Sequence, residues 1–180
     1  MKERSYLWQA AGFAAVTFGG TILHFLYDWT GGSILVTAFS GVNESTWEHM
    51  KLMYWPLFGF ALIQRIWFRD QKRYWSIKLT QILLGVLLIP VLFYTYNGVF
   101  GKSPDWVNIG IFYVCAAAVF LYEWWAFRKA ENPGRDPRVV LGSICLVGAL
   151  FVLFSFHPPR ILLFLDPVTG NYGIPAEDLG

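Results

Sequence analysis

Asn43-Glu44-Ser45-Thr46-Trp47-Glu48-His49-Met50-Lys51 is the stretch that decides how this chain folds. Twelve mostly apolar residues, 31–42, come before it, and a longer apolar run, 52–68, comes after. Crossing the hydrocarbon core takes about 20 apolar residues. Segment 31–42 is too short for that, so it leaves one membrane boundary and returns to the same one. Gly31-Gly32 separates it from the run before. The nine residues then open a new helix. Ser45 stands as N-cap with Glu48 three positions on, the pattern of a capping box. Acids in a first turn also favour the positive end of the helix dipole. Neither effect accounts for His49, whose charged form would oppose that dipole.

Composition gives the solvent. Hydrophobic residues make up 56% of the 180 and charged residues only 14%, against roughly a quarter in soluble domains. Aromatics add up to 19%. A soluble domain has no way to hide that much apolar surface, so the chain belongs in lipid. Nothing points to nucleic acid or to a phosphate-binding loop. Cys115 and Cys145 each sit inside an apolar run with no CxxC pairing, and read as packing residues.

Five runs approach membrane length: 7–27, 52–68, 77–96, 107–127 and 139–156. The expected fold is all-α, a five-helix transmembrane bundle forming one domain over 1–180. A short re-entrant or interfacial segment lies between helices one and two. The first run is too long for a secretory signal core and reads as a retained span. Its small residues, Gly12, Gly19 and Gly20 among them, allow close helix contact and place it centrally. Pro90 should kink the third span. Lys and Arg fall eleven on one side and three on the other. By the positive-inside rule the N-terminus is inside and the C-terminus outside. Asn132-Pro133-Gly134 marks a turn on the inner side. Residues 157–180, rich in turn formers, should fold as a lid over the outer mouth.

All three histidines fall at that outer boundary. His24 lies in the last turn of the first span, His49 in the first turn of the second, and His157 directly after the fifth. Asp28 is four residues from His24 and shares its face. Imidazoles and carboxylates from three helices hold Zn²⁺ or a similar divalent ion. His24, His49, His157 and Asp28 are therefore the expected metal ligands. An ion with an open position activates water, and Glu48 or Glu44 is then the expected catalytic base. No HExxH or HxxxH zinc motif is present. The plain alternative is that histidines and aromatics sit at an interface. Tyr94, Tyr96 and Asn97 end the third span on the same side and are further candidates to line the pocket. Asp166 and Arg160 in the tail read as paired or solvated. At the opposite boundary, Glu123 should snorkel or pair with Arg65 or Lys78, while Gln64 and Gln81 suit hydrogen bonds between helices.

The Asn-Glu-Ser-x-Trp-Glu-His-x-Lys core, together with His24, Tyr27, Pro158-Pro159 and 166–174, resembles an uncharacterised family of small bacterial integral membrane proteins. That resemblance covers nearly the whole chain. It implies a multi-pass protein of the bacterial plasma membrane and no activity. Ceramidase- and adiponectin-receptor-type hydrolases are similar in clustering histidines at helix ends, but their paired-histidine span and two of their helices are missing here.

Two functions follow. One is a metal-dependent membrane hydrolase acting on a lipid or amphipathic substrate. The other is a non-enzymatic binding, sensing or transport subunit for a cation, proton or headgroup. The sequence does not choose between enzyme and non-enzyme. The expected partners are the bilayer and a lipid or small-molecule ligand. Zinc or another divalent ion is the expected cofactor of the first.

Overall fold

The computed structural model describes residues 2–129 and 134–175. Six α-helices follow one another: α1 (Lys2–Trp29), α2 (Ile34–Thr37), α3 (Thr46–Arg65), α4 (Tyr74–Phe100), α5 (Asp105–Arg128) and α6 (Pro137–Phe156). A 3₁₀ turn, Leu162–Phe164, lies in the tail. Among the described residues there is no strand, only an isolated bridge between Leu165 and Tyr172. Within the turn expected at 132–134, residues 132–133 lie outside the described region, as does the end of the lid, 176–180.

Among the described residues, four helices are long and apolar enough to cross a membrane: α1 over Tyr6–Trp29, α4, α5 and α6. The chain thus fits a multi-pass membrane protein. α3 is absent from that set. It starts at Thr46, as the Ser45 cap implied, so it takes in Glu48 and Lys51 ahead of the apolar run at 52, and it ends in Gln64 and Arg65. The packing explains how so polar a helix is tolerated. α3 lies against α1, α4 and α6, and α1 and α4 also pack on α5. From Thr46 to Ala61 no residue of α3 is exposed. Glu48, Lys51 and Gln64 are buried against these neighbours, where polar side chains can find partners in protein rather than face lipid.

Small residues on α1 make the bundle close. A Cβ on Gly20 would lie 2.5 Å from the Phe112 ring of α5, and one on Gly19 would lie 3.3 Å from Pro56 of α3. These contacts bring α1 close to α3 and α5, but its other face is exposed, and α3 rather than α1 takes the central place. α4 stays one helix through Pro90. α6 begins with Asp136, whose side chain accepts the Arg138 amide at 2.8 Å, and with Pro137 in its first turn, a helix start of the favoured kind.

Two ends of the bundle are now defined. At the first, α1 finishes and α3 begins, and the histidines of those helices meet there. At the second, α3 finishes and α4 begins. There Arg73 donates to the Lys129 carbonyl at 2.8 Å and Ser76 accepts the Arg135 amide at 2.9 Å. These are termed the histidine end and the basic end.

Candidate metal centre

The segment after α1 is built to return. Gly31 and Gly32 turn it with φ of 63° and 76°, a region open chiefly to glycine. α2 is a single turn, with Ile34 and Leu35 exposed. The chain then comes back onto α1. Ser40 donates its hydroxyl to the Leu23 carbonyl and accepts the Tyr27 amide at 3.0 Å, and the Gly41 amide donates to Leu23 at 3.2 Å. Segment 31–42 is therefore an edge segment held on α1, as its length required.

Ser45 caps α3, accepting the Glu48 amide at 3.4 Å. The reciprocal half of the expected capping box does not form. The Ser45 amide is taken instead by Asn43 Oδ1 at 2.9 Å. The Glu48 carboxylate turns inward. Its Oε2 lies 2.5 Å from Lys51 Nζ and accepts the Val42 amide at 3.2 Å, while its Oε1 accepts the Ser155 hydroxyl at 3.0 Å. Lys51 also donates to Ser155 Oγ at 2.7 Å and to the Thr37 carbonyl at 2.8 Å. Glu48, Lys51 and Ser155 are all buried. A buried ion pair outcompetes a backbone amide that Asn43 already satisfies, because leaving either charge unpaired there costs several kcal/mol, about 3–5.

Glu44 is left free to face the histidines. His24 Nε2 lies 3.6 Å from Glu44 Oε1, and His49 Nε2 lies 3.6 Å from Glu44 Oε2. The two imidazole centroids are 5.6 Å apart. Ligand atoms of His24, Glu44 and His49 all fall within 4.8 Å of one another. In a tetrahedral zinc site with bonds of about 2.0–2.1 Å, ligand atoms sit roughly 3.3–3.4 Å apart. A small closure of the three side chains would therefore bring them to coordinating distance. His49 Nδ1 is 3.0 Å from the Ser45 carbonyl. A carbonyl only accepts, so Nδ1 carries the proton and the Nε2 lone pair points at the cluster. Metal-binding imidazoles are oriented in this way. All three side chains are partly exposed, Glu44 most of all at 47%, so a fourth position would face out of the protein.

The remaining expected site residues are placed elsewhere. His157 caps the end of α6 and is exposed, outside the group of three. Asp28 is exposed one turn beyond His24 and also lies outside that group. Glu48 contributes to the buried network rather than to an open face. Asp166 accepts the Val168 amide and the Thr169 hydroxyl, each at 2.8 Å, inside the tail. Asn97 accepts the Ser103 amide at 2.8 Å and joins the end of α4 to the start of α5 instead of lining a pocket. Ser155 was not foreseen. Its only mark in the sequence is a hydroxyl in the last turn of an otherwise apolar helix. An apolar groove of about 490 Å³ runs between α1 and α3, lined by Ala15, Gly19, Trp55 and Pro56 among others; none of the three clustered residues lines it.

A helical bundle with four membrane-length apolar helices and a two-histidine, one-carboxylate cluster at one end is a multi-pass membrane protein with a candidate metal site. Residues 1–174 match a family of unknown function (DUF6512), and the chain belongs to that family. No curated protein and no solved structure matches it.

Proposed function

We propose that this protein is a five-span membrane protein that binds a transition-metal ion, Zn²⁺ by the character of its donors, through His24, Glu44 and His49. The observation that carries this reading is the convergence of three donor groups from α1, the return segment and α3, with the His49 ring already turned by Ser45. Two imidazoles and a carboxylate suit zinc, and three protein ligands leave one coordination position for water or a ligand. α3 is the fifth span, hidden from lipid by its neighbours. In this reading the protein lies in a bacterial plasma membrane, and the positive-inside rule favours a cytoplasmic position for the basic end and an outward one for the histidine end.

The role of the ion is binding, sensing or passage of a cation or headgroup rather than hydrolysis. A hydrolytic site needs a free base beside the metal-bound water. Glu48 is filled by Lys51, Val42 and Ser155, and Glu44 is needed as a ligand. Asp28, exposed beside His24, is the one carboxylate that keeps the hydrolase alternative open.

The test is the metal content of the full chain, purified in mild detergent without chelator or added histidines, then titrated with Zn²⁺. About one ion per chain, lost in His24→Ala and in His49→Ala, supports the reading. No binding by the wild-type protein, or unchanged binding in both variants, overturns it. Asp28→Asn separates the two roles. If a hydrolytic activity is found and Asp28→Asn abolishes it while metal stays bound, the hydrolase alternative replaces the binding role.

A further inference from the structure

The basic end holds a second group of buried polar side chains, which the metal reading does not use. Lys78 Nζ of α4 lies 2.6 Å from Glu123 Oε1 of α5, and both side chains are shut off from solvent. Gln81 completes a ring, accepting from Lys78 at 2.9 Å and donating to Glu123 Oε2 at 2.8 Å. Tyr74 donates to the Ala61 carbonyl at 2.5 Å, with Gln64 Oε1 3.2 Å from the same hydroxyl. The Lys78 ammonium also sits 5.7 Å from the Phe60 ring centroid and 5.6 Å from that of Tyr74.

Two glutamines near this ring carry unpaired amide atoms. Gln64 Nε2, and both Nε2 and Oε1 of Gln9, are buried without a hydrogen bond among the described residues. Gln64 is fully buried and Gln9 is 9% exposed. The helix register puts Gln9 level with Glu123. Gly12 faces Phe120, and Gly20 faces Phe112 eight residues further along each helix, so α1 and α5 run antiparallel. Three residues toward the basic end from that first pair stand Gln9 and Glu123. Gln9 also continues the inward stripe of Gly12, Val16 and Gly20. Gln64, one turn beyond Phe60 on α3, reaches the same layer, since Phe60 too faces Gly12.

An unsatisfied buried amide costs about 1–3 kcal/mol per group. Internal water recovers that by making about three bonds to such groups. A closed ion pair among apolar helices is no better for stability than well-packed hydrophobes. Ionisable residues at membrane depth are as a rule functional. Two amides able to hold water, set beside a carboxylate and an ammonium near one end of a bundle, are the parts of a proton site.

We infer that Glu123, with Lys78, Gln81, Gln9 and Gln64, forms a hydrated proton-binding site in the layer nearest the basic end. The proton comes from bulk water on that side and adds to a Glu123 oxygen. Lys78 remains an ammonium, and no bond other than the new O–H forms. The titratable and charged groups facing Glu123 are Lys78 and Tyr74 on α4. Arg65 on α3 lies behind Tyr74, with its guanidinium 5.4 Å from that ring. α1 contributes the neutral Gln9.

Infrared difference spectroscopy of the full chain in lipid nanodiscs, recorded across pH, tests this. Acidification should give a protonated-carboxyl carbonyl band that shifts in deuterated buffer and is missing in Glu123→Gln. Lys78→Met removes the cation that favours the carboxylate. Its band midpoint should move up by more than about one pH unit, a tenfold gain in proton affinity. Gln9→Leu combined with Gln64→Leu should keep the helical spectrum and slow the deuterium shift several-fold. A band untouched by Glu123→Gln overturns the inference. So does a band that never shifts in deuterated buffer, or an exchange rate unchanged in the double leucine variant. Any of these makes the ring a closed brace between α4 and α5.

Discussion

Lys51 Nζ lies 2.5 Å from Glu48 Oε2, one turn back on α3, and the two side chains are 0% and 3% exposed. The pair fastens three parts of the chain at once, since it also holds Ser155 of α6 and Thr37 and Val42 of the return segment. Lys51→Met leaves a carboxylate unpaired in the core. Unfolding in detergent should show a loss of about 3–5 kcal/mol, and adding Glu48→Gln to that variant should restore most of it. A double variant as unstable as the single one would show that the network matters for more than its charges.

Metal should stabilise as well as bind. An ion that recognises only the folded state adds about 2.7 kcal/mol at a hundredfold excess over Kd. Zn²⁺ should therefore raise the melting temperature of the wild type and leave that of His49→Ala unmoved. Chelator should reverse the rise. An equal shift in both proteins would mean that the ion acts elsewhere.

Glu44 and Glu48 should separate cleanly despite their similar sequence positions. Glu44→Gln removes a donor and should weaken Zn²⁺ binding severely. Glu48→Gln acts from behind the site, through Val42 and the start of α3. Its effect on affinity should be about 10–100-fold, the range for supporting residues. Zn²⁺ titrations of the two variants decide the order, and a larger loss in Glu48→Gln would reverse the assignment.

Close packing at glycine gives a fourth test. A Cβ on Gly148 would lie 2.6 Å from the Tyr54 hydroxyl, which donates to the Ile144 carbonyl at 2.7 Å. Gly148→Ala should cost about 1–3 kcal/mol through overpacking. Gly142→Ala, on the same helix with nothing within 4 Å of the added carbon, should be neutral or slightly stabilising.

The tail is tied by few bonds. Asn43 Nδ2 donates to the Gly173 carbonyl at 2.8 Å, and Trp47 stacks on Phe164 with centroids 4.6 Å apart. Asn43→Ala should speed proteolytic cutting in 166–173 while the helices keep their melting temperature. Unchanged cutting would show that the aromatic contact alone seats the tail.

Much of this architecture is legible in the residues because apolar run length and glycine breaks report directly on lipid. Those cues mark the four apolar helices, the short return at 31–42 and the start of α3 at Ser45. The extent of α3 is harder to read. A window that averages hydropathy sees Glu48, Lys51 and Gln64 and cannot know that other helices cover them. Helix-face reasoning brings His24 and His49 to one boundary, but it leaves Glu44 and Glu48 equivalent. What separates the two is Ser155, which is 107 residues from Glu48 in the chain, and no local pattern connects them. Asp28 and His157 share the right boundary and the right chemistry. Asp28 stands one turn beyond His24 on the same face of α1, and His157 is set by where α6 packs; neither joins the group of three. The ring around Glu123 has the same origin. Lys78 is a nameable partner from charge alone, while the free amides of Gln9 and Gln64 are visible only once α1 and α3 are docked.

The covered position of α3 bears on how the chain reaches its membrane. A lysine or acid in an isolated helix disfavours partition into lipid, by about 2.5–3.5 kcal/mol at its middle and by less toward its ends, where the charges of α3 stand. α3 brings Glu48, Lys51, Gln64 and Arg65, and its most extensive neighbours are α1, already synthesised, and α4, which follows after 66–73. On the five-span reading, α3 is a poor substrate for the insertion machinery on its own. It must wait beside the translocon until α4 emerges and enter with it as a hairpin. Biogenesis, rather than the finished fold, is then the step most exposed to a change in the short loop that joins them.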